Sequence, residues 1–130
     1  MSNEILFPYD LNNDNREAYA QTIQLAKREK LSILLFTAIP ESHYEIQIDE
    51  VYFHLLELEG YFQTNYNHWK GIPKVLIKRI IRKGDLLDNL KQVIAEKMPK
   101  YIISHPTSLL LNRKKIEETT GLNKNIITTF

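Results

Sequence analysis

The chain has 130 residues, of which 43% are hydrophobic and 25% charged, with 4 glycines, 5 prolines and no cysteine. A chain of this length forms one domain that buries roughly two-thirds of its unfolded surface. The composition argues against a disordered, a collagen-like and a membrane-spanning protein, and the absence of cysteine excludes thiol nucleophiles, cysteine–zinc sites and disulfides. We therefore expect a single globular domain over residues 1–130.

The formal net charge is +1, but the charge is segregated along the chain. Residues 1–65 hold 4 Lys and Arg against 11 Asp and Glu, whereas residues 66–130 hold 13 against 5. No basic run is interleaved with aromatic residues as single-strand binders require, so we expect no nucleic-acid partner and a basic half that balances the acidic half. Met1-Ser2-Asn3-Glu4 has no basic, apolar signal region, and we expect a cytoplasmic protein without a membrane partner.

The first part of the chain predicts a strand, a helix and a second strand. Residues 4–9 form a short apolar run that a polar cluster ends. Asp14 and Glu17 have the spacing of a capping box, and apolar residues then recur at helical spacing to about Lys30. Residues 31–39 are almost continuously apolar, which predicts a central strand that is buried on both faces.

The middle of the chain predicts an amphipathic helix and then an edge strand. One apolar stripe runs through Val51, Leu55, Leu58, Phe62, Tyr66 and Trp69. Residues 74–82 place apolar pairs between lysines and arginines, and such charges discourage the pairing of an exposed strand with other chains.

The last third of the chain predicts two helices and two strands in alternation. In chain order they are a helix that Asp85 caps and Pro99 ends, a strand over residues 101–104, a helix over about 112–120 that Gly121 ends, and a strand over residues 125–130.

Strands and helices therefore alternate from one end of the chain to the other. Such alternation requires right-handed crossover connections, and these produce a parallel sheet with helices on both faces. We expect an α/β domain with an open, doubly wound sheet of five strands, because a closed eight-fold barrel needs about twice this length.

The opening strand and helix carry a more specific motif. Residues 5–10 read Ile-Leu-Phe-Pro-Tyr-Asp, and Ala18, Thr22 and Leu25-Ala26-Lys27 follow at four-residue steps. A strand ending Pro-x-Asp, a polar turn and such a helix resemble the universal stress protein family, as do the start of the helix at Gly84-Asp85 and the final apolar strand. The resemblance covers essentially the whole chain. It implies a bacterial stress-response protein with an adenine nucleotide alpha hydrolase-like sheet of order 3-2-1-4-5, usually dimeric.

The stretch after the fourth strand departs from that family. Members that bind ATP carry Gly-x-x-Gly, about nine residues and then Gly-Ser or Gly-Thr, and the backbone amides of this segment hold the phosphates. Residues 104–113, Ser-His-Pro-Thr-Ser-Leu-Leu-Leu-Asn-Arg, contain no glycine, and Pro106 has no amide proton. We expect a non-catalytic binding or interaction module that uses no cofactor and does not bind ATP. The alternative is a member that binds ATP through an atypical phosphate loop, with or without weak hydrolysis.

A sheet of this order has its crevice at the carboxyl ends of strands one and four. The residues expected to line it are Tyr9, Asp10, Asn12, His105, Thr107, Ser108 and Arg113. The resemblance adds Thr37 and Ala38 at the end of strand two, the region that faces adenine in the family, and it matches Asp10 to an aspartate that contacts the nucleoside. The ligand expected is a small nucleoside-like or anionic compound. The alternative is that Asp10 only ends its strand and holds its loop by bonds to the backbone.

We predict neither a catalytic nor a metal site. His105 is expected to face Asp10, and such a pair has the geometry of a general base. A nucleophile is missing, because no Gly-x-Ser-x-Gly elbow occurs and Ser104, Thr107 and Ser108 qualify only by nearness. The remaining histidines lack the spacing of metal ligands.

The last strand predicts a dimer interface. It is apolar, short of charge and expected at the sheet edge opposite the basic strand, and an undefended edge can pair with a second copy around a twofold axis. The residues expected in this interface are Asn125, Ile126, Ile127, Thr128, Thr129 and Phe130.

Overall fold

The computed structural model describes residues 3–9, 15–39 and 75–128. In these ranges lie five strands and three helices. The strands are β1 (Glu4–Pro8), β2 (Ser32–Ile39), β3 (Ile77–Lys83), β4 (Tyr101–Ser104) and β5 (Ile126–Thr128), and the helices are α1 (Arg16–Glu29), α2 (Leu86–Lys97) and α3 (Arg113–Thr120). The predicted helix over residues 51–69 lies outside the described residues.

The five strands form one sheet in the order β3-β2-β1-β4-β5, and every neighbouring pair is parallel. β1 lies at the centre, with Ile5 opposite Ile33 of β2 on one side and opposite Tyr101 of β4 on the other. The predicted parallel sheet of order 3-2-1-4-5 is confirmed. This order separates the carboxyl ends of β1 and β4, from which the chain leaves in opposite directions along the sheet.

The hydrophobic core lies on both faces of the sheet. Ile5 and Phe7 of β1 pack with Tyr19 of α1 on one face. Leu6 lies between them in sequence and packs on the other face with Leu90 of α2 and Ile116 of α3. All six side chains are fully buried. The central strands are continuously apolar because both of their faces are covered.

The predicted ends of α2 and α3 are confirmed. The Asp85 carboxylate accepts the backbone amide of Asp88 at 2.9 Å, which caps the first turn of α2. Gly121 ends α3 in the left-handed conformation with φ 73°, where a side chain would be strained. Gly84 has φ 117° in the turn before α2, so glycine is required there as well.

Several predicted boundaries are displaced by one or more residues. β5 begins at Ile126 rather than at residue 125, because Asn125 has the left-handed conformation with φ 65°. α1 begins at Arg16 with Asn15 at the N-cap, so the capping box expected from Asp14 and Glu17 is out of position by one residue. β3 covers Ile77–Lys83 rather than residues 74–82, because Val75 and Leu76 precede the first ladder position, where Ile77 pairs with Ile33.

β3 is an edge strand of the described sheet, and its basic residues partly serve contacts within the protein. Arg82 forms a two-pronged ion pair with Glu96 of α2, at 3.2 and 2.6 Å, and this contact lowers the pKa of the Glu96 carboxyl. Lys78 lies 3.5 Å from the Glu4 carboxylate of β1. These pairs join the edge strand to α2 and to β1. Within the described ranges, no helix is long and apolar enough to cross a membrane.

Candidate functional site

His105 lies at the carboxyl end of β4 and is joined directly to β1. Its side chain is buried, and its Nε2 lies 2.6 Å from the backbone carbonyl oxygen of Pro8. A carbonyl oxygen only accepts, so Nε2 carries the proton and donates it to Pro8. The ring also meets Phe7 edge to face, with the centroids 5.1 Å apart. His105 therefore bridges the carboxyl ends of β1 and β4.

The segment 105–112 between β4 and α3 is closed by hydrogen bonds within itself. The amide of His105 donates to the Leu111 carbonyl at 2.8 Å, and the amide of Ser108 donates to the His105 carbonyl at 3.0 Å. The buried Ser108 hydroxyl oxygen accepts the amides of Leu110 and Leu111 at 3.3 and 2.9 Å. Four amides of this short segment are thus already engaged.

Asn112 completes the closure of this segment. Its side-chain nitrogen donates to the Ser108 carbonyl at 2.8 Å, while its side-chain oxygen accepts the amide of Lys115 in the first turn of α3. One side chain therefore fixes the segment and caps the helix. No residue between positions 105 and 112 has a positive φ. A nest of amides that holds an anion needs left-handed residues between right-handed ones, so this backbone is not arranged as such a nest.

On the β2 side, the residues expected near an adenine are part of the sheet. The buried Thr37 hydroxyl donates to the carbonyl of Tyr9 at 2.9 Å, and the amide of Tyr9 donates to Phe36 at 2.6 Å. These bonds tie the exit of β1 to β2. Ala38 pairs with Arg82 of β3, and its side chain packs in the core on the face of α2 and α3.

Arg113 is held at the connection between α3 and β5. Its guanidinium donates to Glu117 at 2.8 Å, to the carbonyl of Ile126 at 3.0 Å and to the carbonyl of Asn123 at 3.2 Å. The first bond lies within α3 and the other two fix the start of β5. Arg113, which we expected to line the crevice, therefore supports the edge strand β5.

The candidate hydroxyl groups differ in exposure. Ser104 is buried, with its oxygen 3.3 Å from the Ile127 carbonyl and 3.1 Å from the Thr128 hydroxyl, so it contacts β5. Thr107 is exposed on the loop. No group of three or more potential metal ligands occurs in the described ranges.

The structure thus brings part of the predicted site together. Tyr9 and Thr37 share a hydrogen bond, and His105 reaches the residue before Tyr9. Asp10 and Asn12 lie outside the described residues, so the pairing of Asp10 with His105 stays a prediction. Asn112 was not among the predicted site residues. The signal for it was its position one residue before the helix, which is where asparagine caps.

Comparison with known proteins gives a match in structure alone. No known family profile matches the sequence, and no curated protein matches it. A universal stress protein solved in complex with cAMP is 12% identical, with a TM-score of 0.67 over 97% of this chain and 94% of that one. The universal stress protein UspA from Lactobacillus plantarum is 15% identical, with a TM-score of 0.59 over 98% and 97%. The hypothetical protein MJ0577 is 17% identical, with a TM-score of 0.56 over 99% and 96%.

Each of these alignments covers nearly the whole of this chain and nearly the whole of the other chain. Together with the strand order, they show that the fold is that of the universal stress proteins.

Proposed function

We propose that this chain is a single-domain universal stress protein that acts in the cytoplasm as a non-catalytic binding or interaction module of the stress response. Its ligand site lies at the carboxyl ends of β1 and β4 and takes a nucleoside-like or small anionic compound in preference to a nucleoside triphosphate. The observation that carries the proposal is the closure of the segment 105–112 by its own hydrogen bonds.

The closed segment argues against a polyphosphate site in this position. A phosphate cradle needs several backbone amides that point at one anion. Here the amides of His105, Ser108, Leu110 and Leu111 donate inside the protein, and Pro106 has none. A triphosphate would have to break these bonds before it could use the same amides. Each broken bond costs about 1 kcal/mol, so the affinity for the phosphates would be largely lost.

Two observations support the absence of catalysis. His105 uses Nε2 as a donor to Pro8, so that nitrogen cannot accept a proton from a substrate while the bond lasts. The hydroxyl oxygen of Ser108 accepts two backbone amides, which lowers its nucleophilicity and fixes its place in the loop. The Nε2 of His105 and the hydroxyl of Ser108 are thus both engaged within the fold.

A nucleoside remains compatible with the same edge of the sheet. The structural neighbour with the highest TM-score of the three holds cAMP, a nucleotide with one cyclic phosphate. In this chain the Thr37 hydroxyl bonds to Tyr9, and His105 bonds to Pro8. These bonds fix the carboxyl ends of β2 and β4 relative to that of β1, which preorganises this edge of the sheet for a small ligand. The group expected to contact the ligand is the Asp10 carboxylate.

We expect calorimetric titration to give a dissociation constant above about 1 mM for ATP, because the amides of segment 105–112 that a phosphate would need already donate within the protein. Thr107→Phe, which enlarges an exposed residue of the segment, should leave the titration unchanged, as should the control Glu118→Phe on the exposed face of α3. Micromolar affinity that Thr107→Phe weakens and Glu118→Phe does not would support the alternative of an atypical phosphate loop.

Asp10→Ala is expected to abolish the thermal stabilisation by any ligand of the crevice. The screen compares adenosine, cAMP, ATP and small anions with the wild type, with Asp10→Ala and with Asp88→Ala, whose carboxylate lies exposed on α2. Under the alternative, in which Asp10 only holds its loop by bonds to the backbone, Asp10→Ala should lower the stability by about 1 kcal/mol and leave ligand binding unchanged. Stabilisation that is equal in all three proteins would place the ligand elsewhere and contradict the role of Asp10.

We also infer a homodimer that forms through β5. β5 is an edge strand of the described sheet, and Ile127 is only partly buried. Arg113 covers the Ile126 carbonyl, and the backbone groups of Ile127 face β4, so a partner strand pairs from Thr128 onward. Thr129 and Phe130, which we expect in the same interface, lie outside the described residues.

A further inference from the structure

The tip of the segment 105–112 presents apolar side chains to solvent. Leu109 is 84% exposed and Leu110 is 41% exposed, whereas Leu111, the next residue, is fully buried in the core. The segment is thus anchored by one leucine and projects the two before it. Two adjacent exposed leucines form an apolar patch that the domain itself does not cover.

The exposure of these leucines does not come from a loose chain. The Ser108 hydroxyl oxygen accepts the amide of Leu110 at 3.3 Å, and the Asn112 side-chain nitrogen donates to the carbonyls of Ser108 and Leu109 at 2.8 and 3.3 Å. These bonds fix the backbone on both sides of Leu109. The tip can leave water at low cost, because these backbone groups keep their hydrogen bonds inside the protein.

Two lysines lie directly beside the tip. The Asn112 side chain that contacts the Leu109 carbonyl also accepts the amide of Lys115 at 3.0 Å, so the first turn of α3 adjoins the leucines. Lys114 and Lys115 are exposed, and within the part of the chain that the structure describes neither forms an ion pair with a carboxylate. Cations in the first turn oppose the helix dipole, so these lysines do not stabilise α3.

The charge around the tip has one sign. Residues 105–116 contain Arg113, Lys114 and Lys115 and neither aspartate nor glutamate. Arg113 is used within the protein, because it bonds to Glu117 and to two backbone carbonyls. The two lysines remain for a partner. Together with Leu109 and Leu110 they form what we name the leucine–lysine surface.

We propose that the leucine–lysine surface docks on an anionic membrane, with the two leucines at the boundary between headgroups and acyl chains and the two lysines at the lipid phosphates. A bilayer has apolar material beneath a layer of negative charge, which is complementary to projecting leucines beside ammonium groups. A protein partner would need a pocket shaped for both leucines, whereas a bilayer needs none.

This contact departs from the expectation of no membrane partner. That expectation rested on the lack of a signal region, and binding at the surface of a membrane needs neither a signal region nor a spanning helix. The four residues of the leucine–lysine surface are not among those expected to contact the ligand of the proposed function. Either site can therefore fail without the other.

The first experiment measures the sedimentation of the full-length protein with vesicles. We expect binding at about 1 mM lipid to phosphatidylcholine vesicles that contain about 30% phosphatidylglycerol, and none to vesicles of phosphatidylcholine alone. Raising the salt from about 0.15 to about 0.5 M should weaken the binding, because salt screens the lysines.

The second experiment tests the two parts of the surface separately. Leu109→Ser should weaken binding to the anionic vesicles by about tenfold, because it removes the more exposed leucine. Lys114→Gln combined with Lys115→Gln should weaken it by about 20-fold. The controls Leu76→Ser, at a leucine that is 62% exposed before β3, and Lys124→Gln, in the loop before β5, should bind like the wild type.

The third experiment reports where the tip lies. The chain has no cysteine, so Leu109→Cys accepts a single environment-sensitive fluorescent label. Its emission should shift to shorter wavelength on the anionic vesicles, because the label leaves water. The same label at Leu76→Cys should not shift.

The proposal is overturned if the wild type stays in solution with the anionic vesicles, and the surface would then be assigned to a protein partner. It is equally overturned if the lysine variants abolish binding while Leu109→Ser and the labelled tip show no change, which would mean electrostatic adsorption alone. Leu109 is exposed, so Leu109→Ser should leave the melting temperature unchanged, and its loss of binding cannot be attributed to unfolding.

Discussion

His105→Ala is expected to lower the free energy of unfolding by about 3 kcal/mol. The substitution removes a buried ring that meets Phe7 edge to face and leaves the Pro8 carbonyl without the donor that now lies 2.6 Å away. The loss of a buried hydrogen bond and the cavity left by a truncated ring each contribute on the order of 1 to 2 kcal/mol. Urea unfolding monitored by circular dichroism measures the change.

Two further variants isolate the cause of that loss. Thr107→Ala changes an exposed residue of the same segment and should alter the stability by less than about 0.5 kcal/mol. His105→Gln keeps an N–H donor and should recover part of the stability. A loss below about 1 kcal/mol for His105→Ala would show that the bond between β4 and β1 contributes little to the fold.

Thr128→Pro is expected to weaken the proposed dimer by about 100-fold or more. The amide of Ile102 donates to Asn125, and in a parallel ladder this register turns the amide of Ile127 towards β4 and the amide of Thr128 outward. Proline at position 128 therefore removes an outward donor without breaking the described sheet. Ile127→Lys should act in the same direction, because it places a charge in the interface.

Sedimentation at several protein concentrations measures this dimer. Leu76→Lys is the matched control, because it adds a lysine at an exposed leucine beside the opposite edge of the sheet. The control should assemble like the wild type. A wild type that is monomeric at tens of micromolar, or an unchanged mass in both β5 variants, would contradict the interface.

The elements that could be predicted are those with a local signal. The apolar runs of β1 and β2 are visible in a few neighbouring residues. Asp85 begins α2 and Gly121 ends α3, each by a hydrogen bond to a residue at most four positions away. The one-residue error at α1 has a local reason, because Asp14 and Asn15 are both good capping residues and the pattern does not choose between them.

The contacts that could not be predicted join distant parts of the chain. His105 and Pro8 are separated by 97 positions, and their bond depends on β4 coming to lie beside β1. The bonds from Arg113 to Asn123 and Ile126 depend on how β5 returns past α3. The sequence does not show this return, so it predicted only that Arg113 lines the crevice. The sequence thus predicted that polar residues lie at the carboxyl ends of β1 and β4, but not which of their side chains form hydrogen bonds with the backbone.

The strand order also bears on the synthesis of the chain. β1, β2 and β3 are complete once residue 83 has left the ribosome, and they are neighbours in the sheet. The strand that covers the other side of β1 follows only at Tyr101–Ser104. Until then the central strand of the finished protein is an outer strand of the nascent one, with Leu6 and Phe7 next to open backbone. During the interval between residues 83 and 104 the growing chain therefore presents an unpaired edge of its most buried strand, which is open to wrong strand pairing.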